Sequence, residues 1–201
     1  AIGVRITPHM PDGSMPANSD DVEIARKQVL DPSTGVGVSW DLTLANEGTS
    51  DEEIVLVVTP VQLMEENGAL QPTEDEWEKF ASAEGPFSLT SQGGAADSTE
   101  VTVTMRDLDA DLDAFNGARY ALPGTYVVDV IAYYRMNPTV SHTIRLEVEV
   151  LRVEGLETIL AGTNGLGAVP GDFASFSLSV LNTGNGETAY EISCETPNRW
   201  A

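Results

Sequence analysis

The sequence predicts an all-β chain, and two similar stretches carry that prediction. Between residues 36 and 44 apolar side chains occupy every second position, and the chain then turns at Asn46-Glu-Gly48. A period of two is the pattern of a half-buried strand, and a nearby Asn and Gly favour a turn. The same pattern returns between residues 174 and 182 and closes on Asn182-Thr-Gly184. The apolar positions of the first stretch are Val36, Val38, Trp40, Leu42 and Leu44.

The two stretches belong to an internal repeat. They align when Asn46 is placed on Asn182, an offset of 136 positions. The pairs aligned at that offset include Trp40 with Phe176, Leu42 with Leu178, Leu44 with Val180 and Gly48 with Gly184. Strand, turn glycine and next strand recur together, which indicates a structural repeat. We therefore predict tandem immunoglobulin-like β-sandwiches: a complete one over residues 1–152 and the N-terminal part of a second over residues 153–201.

The remaining elements follow from alternation and capping signals. Strands are predicted at residues 2–7, 22–30, 52–59, 99–105, 125–135 and 141–151, and in the second sandwich at about 155–161, 173–182 and 187–194. Residues 22–30 are ambiguous because Ser19 before two aspartates resembles a helix cap, but the repeat alignment favours a strand. A capping box at residues 73–76, followed by apolar residues at helical spacing, predicts a short helix over about 74–82.

A resemblance to CARDB-like modules, which are cell-adhesion-related domains of bacteria, is carried by the run Pro170-Gly-Asp-Phe-Ala-Ser-Phe-Ser-Leu-Ser-Val-Leu-Asn-Thr-Gly-Asn-Gly186. The later Leu122-Pro-Gly-Thr-Tyr126 and its long alternating strand match the back half of such modules. Tyr126 also resembles the tyrosine corner of immunoglobulin-like sandwiches. The regions covered are about 22–60, 95–150 and 155–200. The resemblance implies non-catalytic architecture at a cell surface, with no shared active-site residues.

The charge of the chain excludes two classes of partner. It has 32 Asp and Glu against 10 Lys and Arg, a net charge of −22. Such a surface repels nucleic acid and anionic lipid, and no apolar run approaches the ~18 residues of a membrane span. The composition resembles that of marine or halophile surfaces and suits solubility in salty water or cation binding. Cys194 is the single cysteine, so neither an intrachain disulfide nor a thiolate zinc site is expected.

The run Asp107-Leu-Asp-Ala-Asp-Leu-Asp113 is the candidate metal site. Its four carboxylates belong to Asp107, Asp109, Asp111 and Asp113. An alternating row of carboxylates can direct several oxygens at one Ca²⁺, although the glycine and glutamate of an EF-hand are missing. The alternative is a solvated helix, since Leu108, Leu112 and Phe115 have helical spacing and Asn116-Gly117 supplies a C-cap. We favour the helix and expect no other cofactor.

Aromatic side chains in the first sandwich are candidates for stacking on carbohydrate. The residues in question are Trp77, Phe80 and Tyr133. Tyr133 shares the outward face of its strand with Val127 and Ile131, which is unusually apolar for a wet surface. Either residues 61–86 cover this face or a ligand does, and coverage by the chain itself is the simpler expectation.

The second sandwich raises a different expectation, because its inward face would carry Phe176 and Leu178. The strands that should cover that face are missing from residues 153–201. A sheet of two or three strands with a bare apolar face is marginal in water, and unpaired edges favour association. We therefore predict a homodimer through the incomplete sandwich, with folding back onto the first sandwich as the alternative.

No residue pattern indicates catalysis. His142 is expected to be a buried, hydrogen-bonded histidine, and Cys194 has no histidine near it in sequence to activate it. We therefore expect a non-catalytic extracellular or cell-surface module, a spacer or adhesion repeat of a longer protein, whose partner is a protein or a carbohydrate. The alternative is a carbohydrate-binding accessory module, Ca²⁺-assisted. A hydrolase is the third class, although no spacing singles out a carboxylate pair.

Overall fold

The computed structural model describes residues 3–65, 68–70, 80–83, 85–105, 122–161, 171 and 175–193. The strands are β1 (Val4–Pro8), β2 (Lys27–Leu30), β3 (Val38–Asn46), β4 (Glu52–Glu65), β5 (Gly68–Leu70), β6 (Phe80–Ser82), β7 (Phe87–Leu89), β8 (Ser98–Met105), β9 (Gly124–Tyr134), β10 (Asn137–Val150), β11 (Leu156–Ala161) and β12 (Ser177–Asn182). A short helix, α1, spans Ser19–Ala25, and a 3-10 turn spans Pro32–Thr34. The predicted all-β class is confirmed.

Two sheets form a sandwich. One has the strand order β1-β3-β8-β6, and the other has the order β2-β10-β9-β4-β5, with β7 also paired to β4. Neighbouring strands are antiparallel except β2, which runs parallel to β10. With β1, β3, β8 and β6 as strands A, B, E and D, and β4, β9 and β10 as C, F and G, this is the immunoglobulin-like arrangement. A separate two-stranded sheet pairs β11 with β12.

The core lies between the two larger sheets. Trp40 and Tyr126 are its largest fully buried side chains, with 2% and 0% of their surface exposed, so both are confirmed as core residues. The indole Nε1 of Trp40 donates to the Arg26 carbonyl at 3.2 Å. Phe80 packs near Tyr126, with ring centroids 6.3 Å apart. Further buried members include Val4, Ile6, Leu42, Leu44, Ile54, Leu56, Val103, Val130, Leu146 and Val148.

The strand predicted over residues 22–30 is wrong in its first half, where α1 forms instead. Asn18 rather than Ser19 is the N-cap, and its Oδ1 accepts from the amides of Asp20 at 2.8 Å and Asp21 at 3.0 Å. Both aspartates lie in the first turn, where the positive end of the helix dipole favours them. Local capping therefore outweighs the weak alternation, and β2 begins only at Lys27.

Three other predictions differ from the structure. Val36 was expected to face inward, but it precedes β3 and is 65% exposed, because the 3-10 turn ends at Gly35 with φ 66°. Phe80–Ser82 is a strand paired to β8, not the end of a helix. The remainder of that predicted helix, residues 74–79, lies outside the described residues. No strand forms at residues 187–193.

Candidate interaction surface

A buried asparagine organises the turn after β3. Asn46 is 1% exposed, and its Oδ1 accepts from the Gly48 amide at 2.9 Å. Its Nδ2 donates to the Ser50 carbonyl at 2.8 Å and the Thr90 carbonyl at 3.0 Å. A buried carboxamide is costly unless its hydrogen bonds are made. Here they hold the turn against the loop before β8.

A tyrosine hydroxyl closes the same turn. The Tyr134 hydroxyl lies 2.6 Å from Asn46 Oδ1 and also contacts the Gly3 carbonyl. The Glu47 amide donates to that carbonyl at 3.0 Å. A Cβ at Gly3 or Gly48 would collide with the tyrosine hydroxyl, so both positions require glycine for close approach. We call this set of hydrogen bonds the asparagine turn.

The asparagine turn recurs after β12. The Gly184 amide donates to Asn182 Oδ1 at 3.0 Å, and Asn182 Nδ2 donates to the Gly186 carbonyl at 2.8 Å. The Tyr190 hydroxyl lies 2.6 Å from the Gly155 carbonyl and 3.0 Å from Asn182 Oδ1. The internal repeat read from the sequence therefore has a counterpart in side-chain hydrogen bonding.

The register of the strands repeats as well. β1 pairs with β3 so that Val4 lies opposite Asn46, and β11 pairs with β12 so that Leu156 lies opposite Asn182. The link between β10 and β11 covers residues 151–155, which contain the predicted domain boundary. The division into two domains stays a prediction.

The hydroxyl of the second turn comes from a different strand position. In the sandwich, Tyr134 projects from the end of β9, opposite Ile54 on β4. The 136-residue offset aligns Tyr190 with Ile54 instead. The sequence repeat therefore predicted an apolar strand residue at Tyr190, and the hydrogen-bonding role was missed.

Asn185 joins the link to the turn after β12. This side chain is 2% exposed. Its Oδ1 accepts from the Val153 amide at 2.7 Å, and its Nδ2 donates to the Leu151 carbonyl at 2.9 Å. Its own amide donates to the Val153 carbonyl at 3.1 Å, and the Arg152 guanidinium contacts the Glu187 carbonyl. No pattern in the sequence predicts this contact, and it fixes the path of the chain as it leaves β10.

One face of the β11–β12 sheet is apolar and exposed. The register places Leu156 beside Asn182, Thr158 beside Val180 and Leu160 beside Leu178 on this face, and none of these residues is charged. Phe176 lies two residues before Leu178 and continues the same alternation ahead of β12. Four large apolar side chains are exposed: Leu156 at 51%, Leu160 at 41%, Phe176 at 55% and Leu178 at 47%. We call these four residues, with Val180, the apolar face.

The corresponding face of the first sandwich is its core. The residues at the equivalent positions, Val4, Trp40, Leu42 and Leu44, are at most 2% exposed. There the second sheet, with β9 and β10 nearest to β1, covers them. Leu178 lies on the face of β12 that the alternation predicts, Phe176 lies just before β12, and both side chains are exposed. Its exposed hydrocarbon side chains make this face the candidate interaction surface.

The face that carries Tyr133 is partly buried. Tyr133 is half-buried, between Val55 on β4 and Ser141 on β10. On the same face Val127 is 5% exposed, and Asp129 accepts from Arg145 Nε at 2.8 Å. Its predicted partner in sugar binding, Trp77, lies outside the described residues.

No metal site is visible in the part of the chain that the structure describes. That part holds no group of three or more His, Cys, Asp or Glu able to bind an ion. The predicted Ca²⁺ ligands Asp107, Asp109, Asp111 and Asp113 lie outside it, so the Ca²⁺ site stays a prediction. Within the described residues no helix has the length and hydropathy needed to cross a membrane.

His142 is half-buried, and its Nδ1 accepts from the Ile6 amide at 3.1 Å. The sequence predicted a hydrogen-bonded core histidine, and the hydrogen bond is confirmed although burial is partial. Because Nδ1 accepts, the neutral ring carries its proton on Nε2. Burial first, and then the charge of Arg5, hold the pKa of His142 below its ordinary value of 6.5.

Acid should destabilise the sandwich through His142. Its folded-state pKa is lowered, so its contribution to stability is complete above pH 6.5 and is lost as the pH falls through the folded-state pKa. Protonation of Nδ1 would also break the bond to Ile6. Urea unfolding between about pH 7.5 and pH 5 should show this loss, and His142→Asn should flatten the profile. An unchanged slope in the variant would contradict the assignment.

Comparison with known proteins supplies structural neighbours but no family. No protein-family model matches the chain, and no curated protein matches it. A PapD-like domain of human CEP192 superposes with a TM-score of 0.41 at 18% identity, covering 75% of this chain and 84% of that one. A family 123 glycoside hydrolase from Clostridium perfringens gives 0.45 at 10% identity, covering 74% and 27%.

The CooA pilin subunit of enterotoxigenic Escherichia coli is a third structural neighbour. Its TM-score is 0.36 at 9% identity, covering 72% of this chain and 95% of that one. These TM-scores lie below 0.5 and the identities below 25%. The immunoglobulin-like assignment therefore rests on the strand order of the chain itself.

Proposed function

We propose that the chain is a non-catalytic β-sandwich repeat of an extracellular or cell-surface protein, where it acts as a spacer or adhesion module. The observation that carries this proposal is the second asparagine turn, joined to the first sandwich by a hydrogen-bonded link. Flexible connections between domains are typically rich in Gly and Ser, whereas residues 151–155 are held by Asn185. Repeats with a fixed junction can build an extended array.

The apolar face is the proposed partner surface, and its chemistry favours a polypeptide. Saccharides are bound through hydrogen bonds as well as stacking, but the side chains of this face are almost all hydrocarbon. In the first sandwich the equivalent face is covered by strands with alternating apolar residues, of which β9 and β10 lie nearest to β1. We infer that a sheet of the same kind covers the β11–β12 sheet.

The apolar face is too small to form a stable protein interface by itself. Six-residue strands are about 20 Å long, and two of them make a face of roughly 200 Å². A standard interface buries about 800 Å² per partner. The partner must therefore also pair with a strand edge, and β12 offers one, since among the described strands it pairs only with β11. The equivalent edge of β3 pairs with β8.

A synthetic peptide of residues 122–152, the β9–β10 hairpin, tests this surface. We expect a fluorescently labelled peptide to bind the whole chain with micromolar affinity, measured by anisotropy. Leu178→Ser and Phe176→Ser should each weaken binding about tenfold, because they remove apolar contact area. Ile24→Ser is the matched control: Ile24 lies on α1 with 53% exposure, close to the 55% of Phe176, and its loss should leave affinity unchanged.

Other outcomes would replace the proposal. No saturable binding, or equal losses in all three variants, would remove the apolar face as a partner surface. Light scattering that shows a dimer abolished by Leu178→Ser would establish the predicted homodimer instead. Glycan binding lost in Tyr133→Ala would favour the carbohydrate-binding alternative, and turnover of a glycoside would establish an enzyme.

A further inference from the structure

A cavity of about 360 Å³ lies at one side of the first sandwich. It is bounded by β1, by β10 and by the segment that leads into α1. Pro8, Val22 and Ile144 form part of its apolar wall, while Arg5, Arg26 and His142 bring polar groups to it. Ligand pockets typically span about 300–1,000 Å³ and combine apolar walls with a few convergent polar groups. The cavity has that composition at the small end of the range.

The charged side chains in the lining of the cavity are basic, whereas the chain as a whole is acidic. The chain has 10 Lys and Arg and 2 His against 32 acidic residues, yet Arg5, Arg26 and His142 border this one cavity. Each arginine has a carboxylate partner outside the cavity wall: Arg5 Nε lies 3.1 Å from Glu47, and Arg26 Nη1 lies 3.0 Å from Glu23. Those pairs hold the guanidinium groups in place beside the cavity.

One N–H donor of the Arg26 guanidinium lacks an acceptor among the described residues. Its Nε is buried and, within the described residues, has no hydrogen-bond partner. The ion pair to Glu23 uses Nη1, so the side of the guanidinium that carries Nε is the unsatisfied one. Carboxylates bind guanidinium groups through two parallel N–H donors, and the Nε side offers such a pair. An unpaired buried donor is costly, so an acceptor oxygen brought to it would be stabilising.

His142 adds a second donor, because Nδ1 accepts from the Ile6 amide and Nε2 therefore carries the proton. Charged groups of both signs act on this ring. Burial is the largest influence lowering the pKa of His142, followed by Arg5; Arg26 acts in the same direction, and Glu47 opposes them. The lining of the cavity contains two arginines and no carboxylate, which favours an anionic ligand group.

We propose that this cavity binds the carboxylate group of a small, partly apolar organic ligand. Arg26 takes the carboxylate, Arg5 and His142 surround it with positive charge and a donor, and Pro8, Val22 and Ile144 contact the hydrocarbon part. The site is separate from the apolar face, so it does not depend on the spacer or adhesion role.

Isobutyrate and isobutyramide test the proposal, since they have nearly the same shape and differ in charge. The imidazole NMR signals of His142 should shift saturably with isobutyrate at constant ionic strength, with a millimolar dissociation constant. Isobutyramide should bind at least about tenfold more weakly. Arg26→Gln should weaken isobutyrate binding by a similar factor. Arg135→Gln is the matched control: Arg135 pairs with Glu53 on the surface and does not border the cavity, so its loss should change binding less than about twofold.

Two results would overturn the proposal. Equal affinity for isobutyramide would show that the cavity binds the hydrocarbon part of the ligand and does not recognise the carboxylate. Equal weakening of isobutyrate binding in Arg26→Gln and Arg135→Gln would show a general effect of the net charge of the chain. If Arg26→Gln unfolds, Arg5→Gln provides the same test, because Arg5 is more exposed and packs less. Unchanged isobutyrate binding in Arg5→Gln would then reject the site.

Discussion

Trp40→Ala should lower the free energy of unfolding of the first sandwich by about 3–5 kcal/mol. The indole is 2% exposed and lies in the core between the sheets, and its Nε1 donates to the Arg26 carbonyl. Truncation therefore leaves a large cavity where β3 faces the start of β2, while the Arg26 carbonyl keeps its hydrogen bond from the Glu147 amide at 3.0 Å. Urea unfolding followed by far-ultraviolet circular dichroism measures the loss.

Val36→Ala is the matched control for Trp40→Ala. Val36 belongs to the same alternating stretch but is 65% exposed and lies before β3. Its truncation should change stability by less than about 0.5 kcal/mol, as surface substitutions do. A loss below about 1 kcal/mol for Trp40→Ala would mean that its face of β3 does not form the core.

The alternation in the sequence predicts the sandwich well where a strand has a partner on each side. Trp40, Leu42 and Leu44 on β3 and the inward residues of β10 are buried as expected. Alternation fails at Val36, which has the right period but precedes the first residue of β3 and is exposed. It also fails at α1, where the Asn18 cap is a local signal that outweighs the pattern. Periodicity describes which face a strand buries, but pairing decides where the strand begins.

The interaction surface is only partly predictable from the sequence. Phe176 and Leu178 could be placed on one face because alternation is a local property. The contacts that hold that face in position join residues far apart, as when Asn185 binds the link at Leu151 and Val153. The cavity brings together β1, α1 and β10 in the same way. No short-range pattern records such contacts, so only the fold reveals them.

Asn46→Ala should cost about 3 kcal/mol, because it leaves several buried polar groups without partners, at about 1–3 kcal/mol each. The groups affected are the Gly48 amide and the Ser50 and Thr90 carbonyls, while the Tyr134 hydroxyl keeps its contact with the Gly3 carbonyl. Relaxation of the turn and entry of water at Ser50 will recover part of the sum. Chemical unfolding measures the total, and a loss below about 0.5 kcal/mol would mean that the turn forms without its carboxamide.

Asn182→Ala removes the same side chain from the second asparagine turn, which is less buried, and should cost only about 1 kcal/mol. Its effect should also be confined. If residues 153–201 form a domain of their own, amide hydrogen exchange should accelerate in β11 and β12 while the β3 amides keep their wild-type protection. The reciprocal pattern is expected of Asn46→Ala, with faster exchange in β1 and β3. Accelerated exchange in β3 on Asn182→Ala would show that the two turns belong to one cooperative unit, and the boundary predicted at residue 152 would then be wrong.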